Sequence, residues 1–193
     1  MTSREKILKA VKRNQPEHLP LPADLQSVIT YADHVNQFRQ TLSNIGGVVV
    51  PVQSLDEISR YIGENFKEGH HLVSTVSGIA YVVLPDISVD PHEFETVELA
   101  VMQGSIAVAE NGAVWLAEDQ LNIRVLPFIC QHLAVIVSEK DIVHNMHEAY
   151  AKIGSSDYGF GVFIAGPSKT ADIEQSLVLG AHGPRGMTVF LMS

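Results

Sequence analysis

Two short blocks near the C-terminus carry the residue types best suited to chemistry: Gly166-Pro167-Ser168-Lys169-Thr170, then Gly180-Ala181-His182-Gly183-Pro184-Arg185. The first follows an apolar run of strand length, Phe160 to Ala165, and Gly166-Pro167 stops that run. Ser168 or Thr170 is suited to cap a helix from about Ala171 to Leu179, with Asp172 and Glu174 in its first turn. Free backbone N–H groups at such a turn, with Lys169 beside them, suit a carboxylate or phosphate. A plainer reading also stands: the hydroxyls only cap the helix and Lys169 is solvated. In the second block, Arg185 could clamp a carboxylate in two-pronged fashion and His182 could move a proton. A helix over 171–179 would be roughly 14 Å long at ~1.5 Å per residue, which sets Lys169 and Arg185 at opposite ends of a simple crossover. They share a site only if the chain folds back or a second protomer contributes. Loop fixation or a subunit contact is the plain alternative for Arg185.

Other polar clusters are weaker. His144 and His147 stand at i, i+3 on an expected helix, with Asp141 and Glu148 nearby, but this spacing is common among surface histidines and no metal is assigned. His70-His71 marks a helix-to-strand turn. No Gly-rich fingerprint of the dinucleotide or P-loop type occurs. Cys130 is the only cysteine, which excludes an intrachain disulfide and any iron–sulfur cluster held by this chain's own thiolates. Its apolar setting, Leu126-Pro-Phe-Ile-Cys130, makes it a buried structural thiol.

These residues need a scaffold, and the hydrophobic pattern supplies one. Of 193 residues, 46% are hydrophobic and 18% charged, a globular balance, and the net charge of -9 argues against nucleic acid. Residues 3–13 form an amphipathic helix with Ile7, Leu8 and Val11 on one side, and Gln15 to Pro22, with three prolines, reads as an extended linker. Residues 1–22 are thus an N-terminal helix and linker arm that could dock on another subunit, and 23–193 a single domain. Val35, Phe38, Leu42 and Ile45 recur at helical spacing before Gly46-Gly47. Ser54-Leu-Asp-Glu57 opens a helix facing inward through Leu55, Ile58, Ile62 and Phe66. Strands are expected at Val48 to Val50, Leu72 to Val76, Tyr81 to Leu84, Leu133 to Val137 and Met187 to Met192. Ser105 to Ala109 and Ala113 to Leu116 make an antiparallel hairpin turned by Glu110-Asn111-Gly112, the Asn-Gly pair supplying positive φ angles. Ser138 should cap a helix that turns Ile142, Met146, Ala149 and Ile153 inward. Apolar strands alternating with one-sided helices imply an α/β fold, a mainly parallel sheet covered on both faces. No run reaches membrane-spanning length and Met1-Thr-Ser-Arg-Glu-Lys lacks a signal-peptide core, so the chain reads as cytoplasmic, without membrane insertion.

Gly166-Pro-Ser-Lys-Thr-Ala-Asp-Ile-Glu174 followed by Gly180-Ala-His-Gly-Pro-Arg185 resembles the closing signature of the lactate-utilisation protein C family (LutC/YkgG, the LUD domain). A looser resemblance runs through Ile106 to Gly112 and Leu126-Pro127. Many members read Glu-Thr-Gly-Thr where this chain has Glu110-Asn111-Gly112-Ala113, so the threonine roles are not carried over. The resemblance implies a fold like the NagB/RpiA/CoA-transferase group and an accessory or assembly subunit of iron–sulfur-dependent oxidation of L-lactate to pyruvate. That subunit is non-catalytic or dependent on its complex, its partners hold the clusters, and it binds a small carboxylate or anion itself. The ligand-facing set is then Gly166, Ser168, Lys169, Thr170, Asn111, His182 and Arg185. In the related CoA-transferases the nucleophile lies in Ser-Glu-Asn-Gly, and Ala109-Glu110-Asn111-Gly112 keeps three of those four residues. Glu110 is accordingly the one catalytic candidate, beside a ligand-facing or structural role. Two other classes therefore stay open: a CoA-transferase or sugar-phosphate enzyme using Glu110, and a small-anion regulatory module.

Overall fold

The computed structural model describes residues 1–17, 19, 29–86, 88–154, 159–170, 178–180 and 182–193. Its elements begin with α1 (Ser3–Arg13), α2 (His34–Asn44), β1 (Val48–Val52), α3 (Leu55–Asn65), β2 (His71–Ser74) and, after a 3-10 turn at Pro91–Thr96, β3 (Val97–Gln103). Next come β4 (Ile106–Val108), β5 (Val114–Ala117), α4 (Glu118–Leu121), α5 (Leu126–Ile129) and β6 (His132–Ser138). A 3-10 turn at Glu139–Asp141 leads to β7 (Ile142–Val143), α6 (Met146–Ile153), β8 (Gly161–Ile164), β9 (Lys169–Thr170), β10 (Val178–Leu179) and β11 (Gly186–Met192).

Five strands in the order β1-β11-β6-β3-β2 make a wholly parallel sheet. The central strands β6 and β11 are apolar over residues 133–137 and 189–192 because both their faces are covered there. On one face Leu133, Val135, Val189 and Leu191 pack with Phe38 and Leu42 of α2. On the other, Ala134, Ile136 and Phe190 pack with Ile58 and Ile62 of α3. Both helices have side-chain N-caps, Asp33 accepting the Asn36 N–H and Ser54 the Glu57 N–H, which satisfy donors left free at the helix start. The expected α/β architecture is therefore present, with helices on both faces. No helix among the described residues is long and apolar enough to cross a membrane.

The Asn-Gly hairpin belongs to a second sheet, ordered β7-β4-β5-β8, rather than to the parallel one. Gly104 stands where the chain passes between the sheets, its N–H donating to the Ile136 carbonyl at 2.9 Å. A Cβ there would fall 2.6 Å from Val114 Cγ1 and 2.8 Å from Val135 Cγ1, so only glycine fits. Within the hairpin Val108 and Ala113 close a four-residue loop (Val108 N to Ala113 O, 2.8 Å), and Gly112 alone takes a positive φ, +71°. That corrects the expectation that Asn111 and Gly112 both would.

Three element expectations are overturned. Ser138 caps only the 3-10 turn; Ile142 then enters β7, and the helix starts at Met146 under an Asn145 cap. Alanine and methionine at helical spacing hid this boundary, whereas a parallel partner for β4 demanded an extended Ile142. Tyr81 to Leu84 forms no strand: Val83 makes one bridge to Val73, and Tyr81 sits at φ +69°. Finally, no helix starts at Ser168 or Thr170 or ends at Leu179, because Lys169–Thr170 pairs antiparallel with Val178–Leu179. The rest of that expected helix, 171–177, lies outside the described residues, as do His18 and 20–22 of the linker.

Candidate functional site

β8 delivers the chain to Gly166, whose φ of +71° and whose approach to α2 leave no room for a side chain. A Cβ would lie 3.0 Å from the Ile45 carbonyl oxygen. Pro167 is buried after it. The Ser168 N–H donates to the Pro184 carbonyl at 2.8 Å, and the Gly180 N–H donates to the Ser168 carbonyl at 3.1 Å. A Cβ on Gly183 would lie 3.3 Å from the Ser168 Cβ. The two Gly-Pro blocks are thus laced together.

Lys169 and His182 consequently line one cleft of about 310 Å³, with Ser168, Phe128, Ile164 and Pro184. The expectation that the two blocks stand at opposite ends of the sheet is corrected, because the chain folds back through β9 and β10 instead of crossing as a helix. The expected row of free N–H groups is corrected too: the Ser168 amide is occupied and no helix N-terminus is formed there. What remains for an anion is side-chain chemistry. The exposed Lys169 ammonium donates to the Ile45 carbonyl, which leaves two of its three N–H donors for a ligand. Imidazole from exposed His182 and the Ser168 hydroxyl complete the set. Thr170 contributes backbone to β9.

Arg185 does not line this cleft. Its Nη2 donates to Glu98 Oε1 at 3.0 Å, and His132 Nε2 lies 3.6 Å from the same oxygen. Glu98, His132 and Arg185 come from the starts of β3, β6 and β11, which the sheet order makes neighbours. A Cβ on Gly186 would fall 2.3 Å from His132 Nδ1, so the glycine is what lets the imidazole stand there. Burial pushes the His132 pKa down, opposed by Glu98 and reinforced by Arg185. Sequence reading missed Glu98 and His132, and no local pattern announces them: they meet Arg185 only through strand order.

Glu110 is exposed, and its Oε2 accepts the Met146 N–H at 3.0 Å, at the first turn of α6. The carboxylate thus sits on the positive end of a helix. Asn111 turns inward on its own loop, Oδ1 accepting the Ala113 N–H at 3.0 Å. Ile45 joins this hairpin to the cleft, lying against both Gly112 and Gly166. His144 precedes α6 rather than riding on it; its Nδ1 accepts the Tyr31 N–H at 3.0 Å, which places its proton on Nε2. No group of three or more His, Cys, Asp or Glu that could hold a metal occurs among the described residues. Cys130 is buried, and burial pushes its thiol up to about 12.

The model of the LUD domain family matches residues 86–192, more than half of the chain. Among curated proteins, Lactate utilization protein C of Oceanobacillus iheyensis is 30% identical over 105 residues, 51% of this chain and 45% of that protein. The protein of the same name from Geobacillus thermodenitrificans is 34% identical over 96 residues, 47% of this chain and 40% of that protein. The matches span less than half the length of these relatives. Among solved structures, a DUF162 family protein from Deinococcus radiodurans superposes with a TM-score of 0.64 at 16% identity, covering 86% of this chain and all of that one. That likeness concerns the fold.

Proposed function

This chain belongs to the LUD domain family, and we propose from that premise that it is a lactate-utilisation protein. Its role is that of an accessory or assembly subunit of an iron–sulfur-dependent system oxidising L-lactate to pyruvate. The observation that carries the reading is the match of residues 86–192 to the family, together with relatives named Lactate utilization protein C. The chemistry of the chain is compatible with it. One thiol, protonated and buried, cannot hold a cluster, so electrons pass through cysteine-rich partner proteins. Nor does the chain carry a flavin or nicotinamide fingerprint that would let it take electrons from lactate alone.

The cleft between Lys169 and His182 is the part we assign to the small carboxylate. A lysine ammonium with two spare donors, a hydroxyl and an imidazole match the acceptors of a 2-hydroxy or 2-oxo acid. Its apolar wall, Phe128 and Ile164, suits a methyl group. In a host with a single lactate route, deletion of the gene should abolish growth on lactate, and the tagged chain should co-purify with a cysteine-rich partner. The isolated chain should not turn lactate over. Unimpaired growth removes the pathway assignment, and turnover by the lone protein removes the accessory role.

A further inference from the structure

We propose that α1 of one copy docks, apolar side inward, in the cleft where Tyr81, at the head of the Tyr81–Leu84 strap, meets α3 of a second copy, so that the chain self-associates through its N-terminal arm. α1 has a complete N-terminal capping box: the Thr2 hydroxyl accepts the Glu5 N–H at 3.2 Å and the Glu5 carboxylate accepts the Thr2 N–H at 2.7 Å. Yet it buries no residue, and Ile7, Leu8 and Val11 stand 62%, 52% and 54% exposed. An isolated helix of this length is marginal in water, so a helix with this apolar side needs a surface to lie on.

The body of the chain offers such a surface, and it is built at local expense. Gly63 lies inside α3, where glycine is disfavoured, and a Cβ there would fall 3.0 Å from Tyr81 Cε2. Tyr81 adopts φ +69°, disfavoured for an aromatic residue, and is 70% exposed. The strap is pinned by Ala80 N to Ser59 Oγ at 2.9 Å and by Val83 N to Leu72 O at 3.0 Å. Two unfavourable residue choices thus hold an exposed ring against a helix, beside exposed Val83 and Leu84. Backbone strain of this kind persists where a ligand or partner is clamped. The cleft measures about 650 Å³, with Phe66 in its wall.

Charge selects the occupant. α1 carries Arg4, Lys6, Lys9, Lys12 and Arg13 against Glu5 alone, so the rest of the chain keeps eight Lys/Arg against twenty-one Asp/Glu. Arg60 and Lys67 line the cleft with Glu64 and Glu68, but between Lys67 and Arg124 the sequence has nine Asp/Glu and no Lys or Arg. A basic amphipathic helix therefore meets a body of net negative charge through a cleft whose own charges balance, with Ile62, Phe66 and Leu72 as its apolar lining, and a cation on the helix can lie over the Tyr81 ring. Two reciprocal seatings related by a two-fold axis close the assembly.

Sedimentation velocity on the full chain across a concentration series tests this. We expect a reversible dimer in the micromolar range, and the pair Ile7→Glu/Leu8→Glu should weaken it at least about tenfold. Tyr81→Gly, which removes the ring and suits the positive φ, should do the same while circular dichroism stays unchanged. Mixing Lys12→Cys chains with Lys67→Cys chains and adding a bismaleimide should link the two chains. A monomer at all concentrations overturns the proposal, as does a dimer indifferent to both variants. Cross-linking confined to one doubly substituted chain, or binding of the monomer to anionic vesicles in place of dimerisation, overturns it as well.

Discussion

The amide of Ser168 donates to the carbonyl of Pro184 across 2.8 Å, and this bond decides the layout of the C-terminal signature. It ties a turn after β8 to the loop before β11, so Lys169 and His182 face one cleft. It also consumes a backbone donor that an anion would otherwise use, leaving recognition to side chains.

Lys169→Glu should therefore weaken L-lactate or pyruvate binding by about tenfold or more, read by titration calorimetry. The side chain is exposed, and the substitution removes one hydrogen bond to the Ile45 carbonyl, worth about 0.5–1.5 kcal/mol. The unfolding midpoint should shift by only a few degrees. Undiminished binding in the variant would take the cleft out of consideration.

The sheet was legible in the chain because its central strands are largely apolar on both faces: Leu133 to Val137 and Met187 to Met192 are of strand length, rich in Val and Ile or bounded by Gly-Pro. The helix boundaries were less so. Ile142 fits the spacing of α6, yet it is extended because β4 needs a parallel partner, a constraint no local window contains. The segment after Ser168 misled for the same reason: Ser, Thr, Asp and Glu in that order describe a helix start, while Lys169 and Thr170 pair with Val178 and Leu179. Of the candidate site, the two Gly-Pro blocks were visible and their union was not. Arg185 was visible, but its partner Glu98 stands on a strand whose place beside β6 follows only from topology.

His132 makes stability depend on pH. Burial, with help from Arg185, holds its folded pKa below the ordinary 6.5, against the pull of Glu98. The unfolded chain thus binds this proton more readily than the folded one. The contribution is constant above about pH 6.5 and is lost as pH falls from there through the folded value. Thermal unfolding between pH 7.5 and 5 should show a smaller midpoint loss for His132→Gln than for the parent; equal losses would exclude His132 as the source.

Cys130 should be silent in the native fold. With its thiol pushed up to about 12 and its surface buried, an aromatic disulfide reagent at mildly alkaline pH should release no chromophore until denaturant is added, then one equivalent per chain. Prompt native labelling would show that α5 opens.

Gly104→Val should be among the most damaging single changes in the molecule. The added side chain collides with Val114 and Val135 at the junction of the two sheets, a crowded site where both neighbours belong to the core. Overpacking here should cost about 1–3 kcal/mol or more, seen as a lower midpoint in urea with an unchanged slope. Full stability would mean that the sheets part more easily than their packing indicates.

Glu110 separates the accessory reading from an acyl-transferring one. As the acceptor of the Met146 N–H it caps α6, so Glu110→Ala should cost roughly 1 kcal/mol and Glu110→Gln, which keeps a neutral acceptor, less. A nucleophile makes the opposite demand, because the amide of glutamine cannot form the acyl anhydride at all. The chain should then be incubated with acyl-CoA thioesters, trapped with hydroxylamine and examined by mass spectrometry. We expect no adduct at Glu110, and stability losses ordered Ala above Gln. An adduct on Glu110 that disappears in Glu110→Gln, whatever the stability of that variant, would move the protein into the CoA-transferase class.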